Sequence, residues 1–156
     1  MNDEFFMAEA LKEAQAAVLA GEVPIGAVAV KDGIICARAR NRVEELHSVS
    51  AHAEFLLLHE VEKLTNDWRM SDYTFYITKE PCPMCAGMLI NARVKRVVFG
   101  AADPAAGGMG GAFDLNSISG LLWHCDVTAG ILADESLKLI RDFFRSRRAE
   151  SAAKKA

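Results

Sequence analysis

The apolar residues of this chain recur at two different spacings, which divide it into helical and extended segments. A period of three to four residues, as from Met7 to Val18, is typical of an amphipathic helix, and a short β-branched run, as in residues 25–30, is typical of a strand. An Asp-Gly turn follows that run and predicts a hairpin. In chain order, these patterns predict a helix (3–20), a hairpin (25–30 and 34–39) and a second helix (52–63).

The second half of the chain alternates strands and helices. Residues 73–78 are rich in aromatic and β-branched side chains, and Pro83 behind them suits the first turn of a helix. Glycines between positions 107 and 111, in a stretch without a clear period, predict a flexible loop at the rim of a pocket. We predict a strand (73–78), a helix (83–91), a strand (96–100), a loop (101–122), a short strand near Val127 and a final helix (135–148).

A hairpin followed by alternating helices and strands predicts an α/β fold. Its expected form has three α-β-α layers, with a mixed five-stranded sheet covered by helices on both faces. The chain has 156 residues, of which 51% are hydrophobic and 25% charged, so a disordered chain, a collagen and a coiled coil are excluded. We expect one domain over residues 1–149 and a frayed tail over 150–156.

The sequence also favours a cytoplasmic protein without a membrane segment. Its longest stretch free of charged residues, 81–92, has twelve residues, and the next, 115–125, has eleven, whereas a membrane span needs roughly 18 or more. The N-terminus is acidic before its first lysine, unlike a secretory signal. Four cysteines are too few and too unevenly spaced for a disulfide framework, so we interpret them as ligands, nucleophiles or core residues.

Basic charge is concentrated at one end of the chain. The net charge is -3, but residues 138–156 carry +5 and the remainder -8. Four of these cations are spaced three, four and three residues apart, which places them on one face of the predicted final helix: Lys138, Arg141, Arg145 and Arg148. Each could neutralise a phosphate, so we interpret the face as an RNA contact, with a merely solvated basic face as the alternative.

The strongest chemical signal is a His-Ala-Glu motif followed, after one predicted helix and strand, by Pro-Cys-Pro-Met-Cys. His52, Cys82 and Cys85 could give zinc three protein ligands and leave its fourth position open for water, as in catalytic zinc sites. Glu54 lies about 200° round the helix from His52, so it need not bind the same ion and can serve as general acid and base.

Two other interpretations of this motif stay open. A Cys-x-x-Cys pair can be a redox pair, but such a pair would not require His52 or Glu54. A structural zinc site needs a fourth protein ligand, for which the chain offers Cys36, His47, His124 and Cys125. Zinc held for structure alone would be typical of an RNA-binding module without catalysis.

In these motifs the chain resembles the bacterial tRNA-specific adenosine deaminases of the cytidine-deaminase-like superfamily. The resemblance covers residues 22–148 and is carried by segments 22–28, 41–42, 51–54, 80–87, 97–101, 130–132 and 143–148. It implies the cytidine-deaminase-like fold, one zinc ion per subunit and a homodimer with the pocket near the interface. It also implies that Asn41 hydrogen-bonds a flipped nucleotide, that Asp103 contacts the RNA beside it, and that the final helix lies against the anticodon stem.

The chain departs from the pattern of that family in three places. Alanines at 102, 105 and 106 leave a loop without the Lys or Arg that it usually holds. Residues 47–50 read His-Ser-Val-Ser where the family usually has His-Asp-x-Thr, and Pro83 replaces a β-branched residue. The lack of a cation in this loop favours a second hypothesis, a deaminase of free guanine, cytosine or cytidine. The first hypothesis is zinc-dependent deamination of adenosine to inosine at the wobble position of tRNA, with hydroxide attacking C6 and Glu54 moving the proton.

Overall fold

A computed structural model describes residues 2–156, and at its centre lies one mixed sheet of five strands. The strands are β1 (Gly26–Lys31), β2 (Ile34–Arg40), β3 (Thr74–Lys79), β4 (Arg96–Ala101) and β5 (Asp126–Thr128), in the spatial order β2-β1-β3-β4-β5. β1 is antiparallel to both of its neighbours, while β3, β4 and β5 run parallel to one another. The predicted mixed five-stranded sheet is confirmed.

Helices cover both faces of this sheet. They are α1 (Asp3–Leu19), α2 (Val43–Leu46), α3 (Ala53–Thr65), α4 (Pro83–Asn91) and α5 (Ala133–Lys155), with a 3-10 turn at Leu115–Ser117. Alternate strand residues face opposite layers: Val28 and Tyr76 pack towards α1, whereas Ala27 and Ile77 belong to the core beneath α3 and α4. No helix within residues 2–156 has the length and apolar character needed to cross a membrane.

Two elements differ from their predictions. The final helix continues to Lys155, although we predicted its end near Arg148 and a frayed tail from residue 150. Residues 149–155 are mostly Ala, Lys and Glu, which are strong helix formers, so the exposed segment extends α5 without tertiary support. The four-residue helix α2 was not predicted, because its amides are capped by Glu22, about twenty positions earlier in the chain.

A polar network ties the start of α1 to the middle of the sheet. Asp3 accepts two hydrogen bonds of 2.8 Å from the Arg96 guanidinium and one of 2.8 Å from the Tyr76 hydroxyl, and Arg96 also donates to Thr128 at 2.9 Å. The hydrogen bond from Arg96 holds the pKa of Asp3 below its ordinary value. Burial, reinforced by Asp3, raises the pKa of Tyr76 to about 12.

Segments that carry the predicted chemistry leave the sheet at one common edge. Because β2 and β3 are both antiparallel to β1, and β4 is parallel to β3, the carboxyl ends of all three strands meet there. Asn41 follows β2, Cys82 follows β3, and Asp103 follows β4. This edge is the usual position for a site in an open α/β sheet.

Candidate metal and substrate site

Three predicted metal ligands meet at this edge. His52 is the residue before α3, Cys82 is the residue before α4, and Cys85 lies in the first turn of α4. The Nδ1 atom of His52 is 3.7 Å from Sγ of Cys82 and 3.4 Å from Sγ of Cys85. Ligands around a tetrahedral zinc ion would be about 3.6 Å apart, given ordinary Zn–N and Zn–S lengths, so the cluster has the dimensions of such a site.

The backbone places these ligands through the way each helix begins. His52 and Cys82 both have extended backbone geometry immediately before a helix, which turns their side chains towards the sheet edge. Pro83 occupies the first position of α4, where its missing N–H costs no hydrogen bond. The two helix N-termini therefore point their positive ends at the sulfur atoms.

Electrostatics within the cluster favour a thiolate. Hydrogen bonding from Cys85, and then from His52, lowers the pKa of Cys82 to about 4. Hydrogen bonding to Cys82 raises the pKa of the Cys85 thiol. Hydrogen bonding to Cys82 also raises the pKa of His52. A divalent cation would replace the remaining proton, because metal binding requires both sulfurs to be deprotonated.

Within the described part of the chain, no fourth protein ligand joins the cluster. Among residues 2–156, His52, Cys82 and Cys85 form the group whose donor atoms all lie within 4.8 Å of one another. The alternatives Cys36, His47, His124 and Cys125 lie outside it, and Cys125 is a buried core residue. Three protein ligands with an open fourth position match a catalytic metal site better than a structural one.

Glu54 lies in the first turn of α3, next to the ligands and separate from their cluster. Its side chain is almost wholly buried, and it interacts with the Cys85 thiol. Burial raises its pKa above the ordinary value for glutamate, although the neighbouring Cys85 acts in the opposite direction. A buried carboxyl group with a raised pKa can both accept and return a proton, which is the property of a general acid and base.

His52 connects the cluster to a pocket with a volume of about 630 Å³. That volume lies within the range of small-molecule sites. Its walls come from the loop before β1, the loop after β2 and one side of α5, and include Val23, Ile25, Asn41, His52, Phe143, Phe144 and Arg147. Apolar side chains predominate, so a flat ring bound here would be sheltered from water.

Asn41 presents an unused hydrogen-bond acceptor to the site. Its side chain is buried, and Nδ2 donates a 3.5 Å hydrogen bond to the carbonyl of Val23. Its Oδ1 atom has no partner among the described residues. A buried carbonyl oxygen left unpaired costs roughly 1–3 kcal/mol, so a ligand that donates to Oδ1 would recover this energy.

The carboxylate of Asp103 is already bound by neighbouring groups of the chain. It pairs with Lys79 at 3.0 Å and accepts from the amides of Ala105 and Ala106 at 3.0 and 3.1 Å. Burial is the largest single influence on the pKa of Asp103 and raises it, but Lys79 and the amides of Ala106 and Ala105 together lower the pKa below its ordinary value. Asp103 reaches the same sheet edge as the cluster, and its predicted contact with RNA stays a prediction.

Four cations of α5 face solvent, whereas another, Arg147, lines the pocket. The four predicted cations, Lys138, Arg141, Arg145 and Arg148, are all exposed. Lys138 pairs with Asp142 at 2.6 Å and Arg145 approaches the same carboxylate at 3.7 Å, so one anion interrupts the basic face.

Arg147 lines the pocket although no sequence motif marks it as a site residue. Its guanidinium donates to the carbonyl of Gly21 and stacks over Phe143, 5.0 Å from the ring centroid. The spacing of four between Phe143 and Arg147 was the available signal, because residues four apart share a helix face. This contact joins the end of the chain to the loop after α1.

Comparisons with known proteins agree with this geometry. Residues 1–148 match the MafB19-like deaminase family. The chain is 44% identical over 155 residues to a Bacillus subtilis protein named tRNA-specific adenosine deaminase, and the match covers 99% of this chain and 96% of that protein. A solved structure from work on A-to-I editing by tRNA:A34 deaminases has a TM-score of 0.84 and 38% identity, covering 86% of this chain and 98% of that one.

A guanine deaminase from Bacillus subtilis is also similar in structure. Its TM-score is 0.62 at 38% identity, and the match covers 65% of this chain and 66% of that one. The similarity to the tRNA-specific protein therefore extends over more of the chain than the similarity to the guanine deaminase.

Proposed function

This chain belongs to the MafB19-like deaminase family, and from its near full-length similarity to a tRNA-specific adenosine deaminase we propose that it deaminates adenosine to inosine at the wobble position of tRNA. The reaction consumes one water molecule and releases ammonia from C6 of the base. One observation carries the proposal: His52 belongs both to the three-ligand cluster with Cys82 and Cys85 and to the wall of a largely apolar pocket that can accept a purine. Buried Glu54 lies beside these ligands in the first turn of α3.

We assign zinc as the metal of this cluster, one ion per subunit. Two sulfurs and one imidazole nitrogen are the donor set that zinc prefers, and their spacing fits tetrahedral coordination. When bound, zinc supplies a hydroxide nucleophile at neutral pH by lowering the pKa of water.

Other residues of the chain would transfer protons, bind the nucleotide and exclude water. Glu54 takes a proton from the attacking water, delivers it to the purine ring, and assists the departure of ammonia by a second transfer. Asn41 accepts a hydrogen bond from the nucleotide through its unpaired Oδ1. Phe143 and Phe144 line the opposite side of the pocket and exclude water from the base.

The RNA would lie across the sheet edge and α5. An anticodon loop suits the pocket because its bases are already unpaired and cost little to extrude. Lys138, Arg141, Arg145 and Arg148 would follow the phosphates of the stem, and Asp103 would contact the nucleotide beside the flipped adenosine. The exposed position of all four cations supports this assignment.

Deamination of free guanine is the second candidate. It is favoured by the structural similarity to a guanine deaminase and by the lack of Lys and Arg over residues 102–106. Against it stand the lower coverage of that similarity and the basic face of α5. The same metal and proton chemistry serves both candidates, so the substrate must be decided by experiment.

The deciding experiment is an assay of inosine formation on an anticodon stem-loop RNA with adenosine at the wobble position. Zinc-loaded protein is incubated in parallel with free guanine, cytosine and cytidine, and ammonia release is measured. A stem-loop with guanosine at that position is the matched RNA control. We expect inosine in the adenosine RNA alone; ammonia from a free base with unmodified RNA would refute the tRNA assignment and leave the metal chemistry intact.

We further infer that residues 1–149 act as one deaminase domain, that the protein works in the cytoplasm where tRNA is used, and that it is a homodimer. An apolar groove between α3 and α4, lined by Phe55, Leu58, Trp68 and Met88, would receive the second copy. Both helices begin at the metal cluster, so a dimer formed there keeps the pocket near the interface.

Light scattering should give twice the 17.0 kDa of one chain for this dimer. We expect Met88→Lys to reduce the measured mass towards that of one chain, whereas Lys12→Ala, at an exposed side chain of α1, should leave the dimer intact. A monomeric wild type would contradict the dimer proposal.

A further inference from the structure

Glu80 is a buried carboxylate that the proposed reaction does not use. It is 4% exposed and follows β3, two residues before the ligand Cys82. Its two oxygens accept hydrogen bonds from three backbone amides of the loop after β4: Asp103 at 3.0 Å, Met109 at 3.0 Å and Gly111 at 2.9 Å. These bonds satisfy the buried charge without any cationic side chain.

The glycines of this loop leave room for the carboxylate. A Cβ atom at Gly107 would lie 2.1 Å from a Glu80 oxygen, and one at Gly111 would lie 2.6 Å from the other oxygen. Both distances are far shorter than van der Waals contact. The glycine-rich segment is therefore wrapped around Glu80, and it is not the flexible rim that its composition predicted.

The same loop packs against the turn that carries the cysteine ligands. The amide of Gly108 donates a 2.7 Å hydrogen bond to the carbonyl of Pro81. A Cβ atom at Gly108 would lie 2.9 Å from backbone atoms of both Cys82 and Pro83. Glu80 thus holds a loop whose next contact is the backbone of a metal ligand.

We propose that Glu80 is a positioning residue for the metal site: it seats the 103–111 loop on the Pro81–Pro83 turn and so fixes the direction of the Cys82 sulfur. The inference rests on the proposed function, because it concerns the ligands of the zinc assigned there. Neutralising Glu80 would loosen the loop first and the ligand turn second. The metal would then be held in a wider range of geometries and released faster.

The test compares Glu80→Gln with Asp3→Asn in cobalt-substituted protein. In Glu80→Gln an NH₂ group replaces one oxygen and faces at least one amide donor, so the three bonds to the loop are no longer all possible. Asp3→Asn weakens an equally hydrogen-bonded carboxylate of the α1–sheet network, far along the chain from the ligands. It controls for a general loss of stability.

We expect Glu80→Gln to shift the visible cobalt–thiolate bands and to speed metal transfer to a chelator by roughly 10- to 100-fold, the usual effect of removing support behind a ligand. Asp3→Asn should lower the unfolding temperature and leave both cobalt readouts as in the wild type. Equal cobalt spectra and release rates for Glu80→Gln and wild type would overturn the inference. A wild type that takes up no cobalt would contradict the proposed function instead.

Amide hydrogen exchange in the wild-type protein provides a measurement that requires no variant to fold. The amides of Met109 and Gly111 should be protected to nearly the same degree as those of β4, although they lie in a glycine-rich loop. Exchange at the rate of an unstructured chain would show that Glu80 does not hold the loop, and would overturn the inference independently of metal.

Discussion

At the scale of single residues, three buried glutamates have different surroundings: two bind backbone amides, and one lies beside the metal ligands. Glu22 accepts from the amides of Glu44 and Glu45 at 2.8 and 3.1 Å, and Glu80 accepts from three amides of another loop. Both charges are therefore committed to backbone donors on either side of the site. Glu54 instead borders the Cys85 thiol, and burial raises its pKa. It is the buried glutamate best placed to move a proton.

We predict that Glu54→Gln lowers the rate of inosine formation by about 10²- to 10⁴-fold, the usual contribution of a general acid and base. The amide keeps the size of the side chain but neither accepts nor returns a proton. Zinc content, measured by elemental analysis, should stay at one ion per chain because Glu54 is outside the ligand cluster. Glu60→Gln, an exposed change on the same helix, serves as the control. Near wild-type turnover in Glu54→Gln would remove this residue from the mechanism.

At the scale of elements, α5 combines two tasks on two faces. One side closes the pocket with Phe143 and Arg147, and the other presents exposed cations to solvent. Asp142 lies among these cations and pairs with Lys138 and Arg145. The basic face is therefore weaker than its sequence spacing suggests, and in the proposed RNA contact this carboxylate would compete with phosphate for both cations.

Substitutions on this face should act in opposite directions. We expect Arg141→Ala to weaken binding of the stem-loop RNA and to reduce the slope of log affinity against log salt by about 0.7–0.9, the effect of one lost phosphate contact. Asp142→Asn should strengthen binding at low salt, because it frees two cations. Binding is measured by fluorescence anisotropy, with Lys63→Ala on α3 as the control. Arg141→Ala that binds like the control would refute an RNA contact through this face.

Elements were predictable wherever the determining signal was local. Pro83 marks the start of α4, and the predicted bounds 83–91 agree with the observed helix. The order of the 103–111 loop was missed because it depends on Glu80, which lies 23–31 positions earlier than the amides it binds. The three metal ligands were predictable because they lie in short local motifs. Arg147 was not, because its role depends on the packing of α5 against the distant loop after α1.

At the scale of the whole molecule, the network of Asp3, Tyr76 and Arg96 couples stability to pH at both extremes. The pKa of Tyr76 is about 12 in the folded protein and 10.0 when unperturbed. The unfolded chain therefore loses this proton first, and the contribution to stability is complete below pH 10 and is lost as pH rises to 12. The lowered pKa of Asp3 gives a pH dependence of stability with the opposite sign. The contribution of Asp3 to stability is present at neutral pH and is lost on acidification through its folded-state pKa.

We predict that the free energy of unfolding decreases by roughly 2 kcal/mol between pH 10 and 12 because of Tyr76, which is 2% exposed. Urea unfolding followed by circular dichroism measures this decrease. Tyr76→Phe should be less stable than the wild type at neutral pH, since a hydrogen bond is lost, but should vary less with pH in that interval. Parallel curves for the two proteins would contradict the assignment.

The position of α5 after the ligand residues in the chain has a consequence for the order of events during synthesis. All three ligands and Glu54 lie at or before residue 85, whereas Phe143, Phe144 and Arg147 leave the ribosome later. A nascent chain thus completes its metal-binding residues well before it can enclose a base. An immature polypeptide could acquire its ion yet remain unable to capture RNA, so translation itself delays catalysis until the final helix has docked.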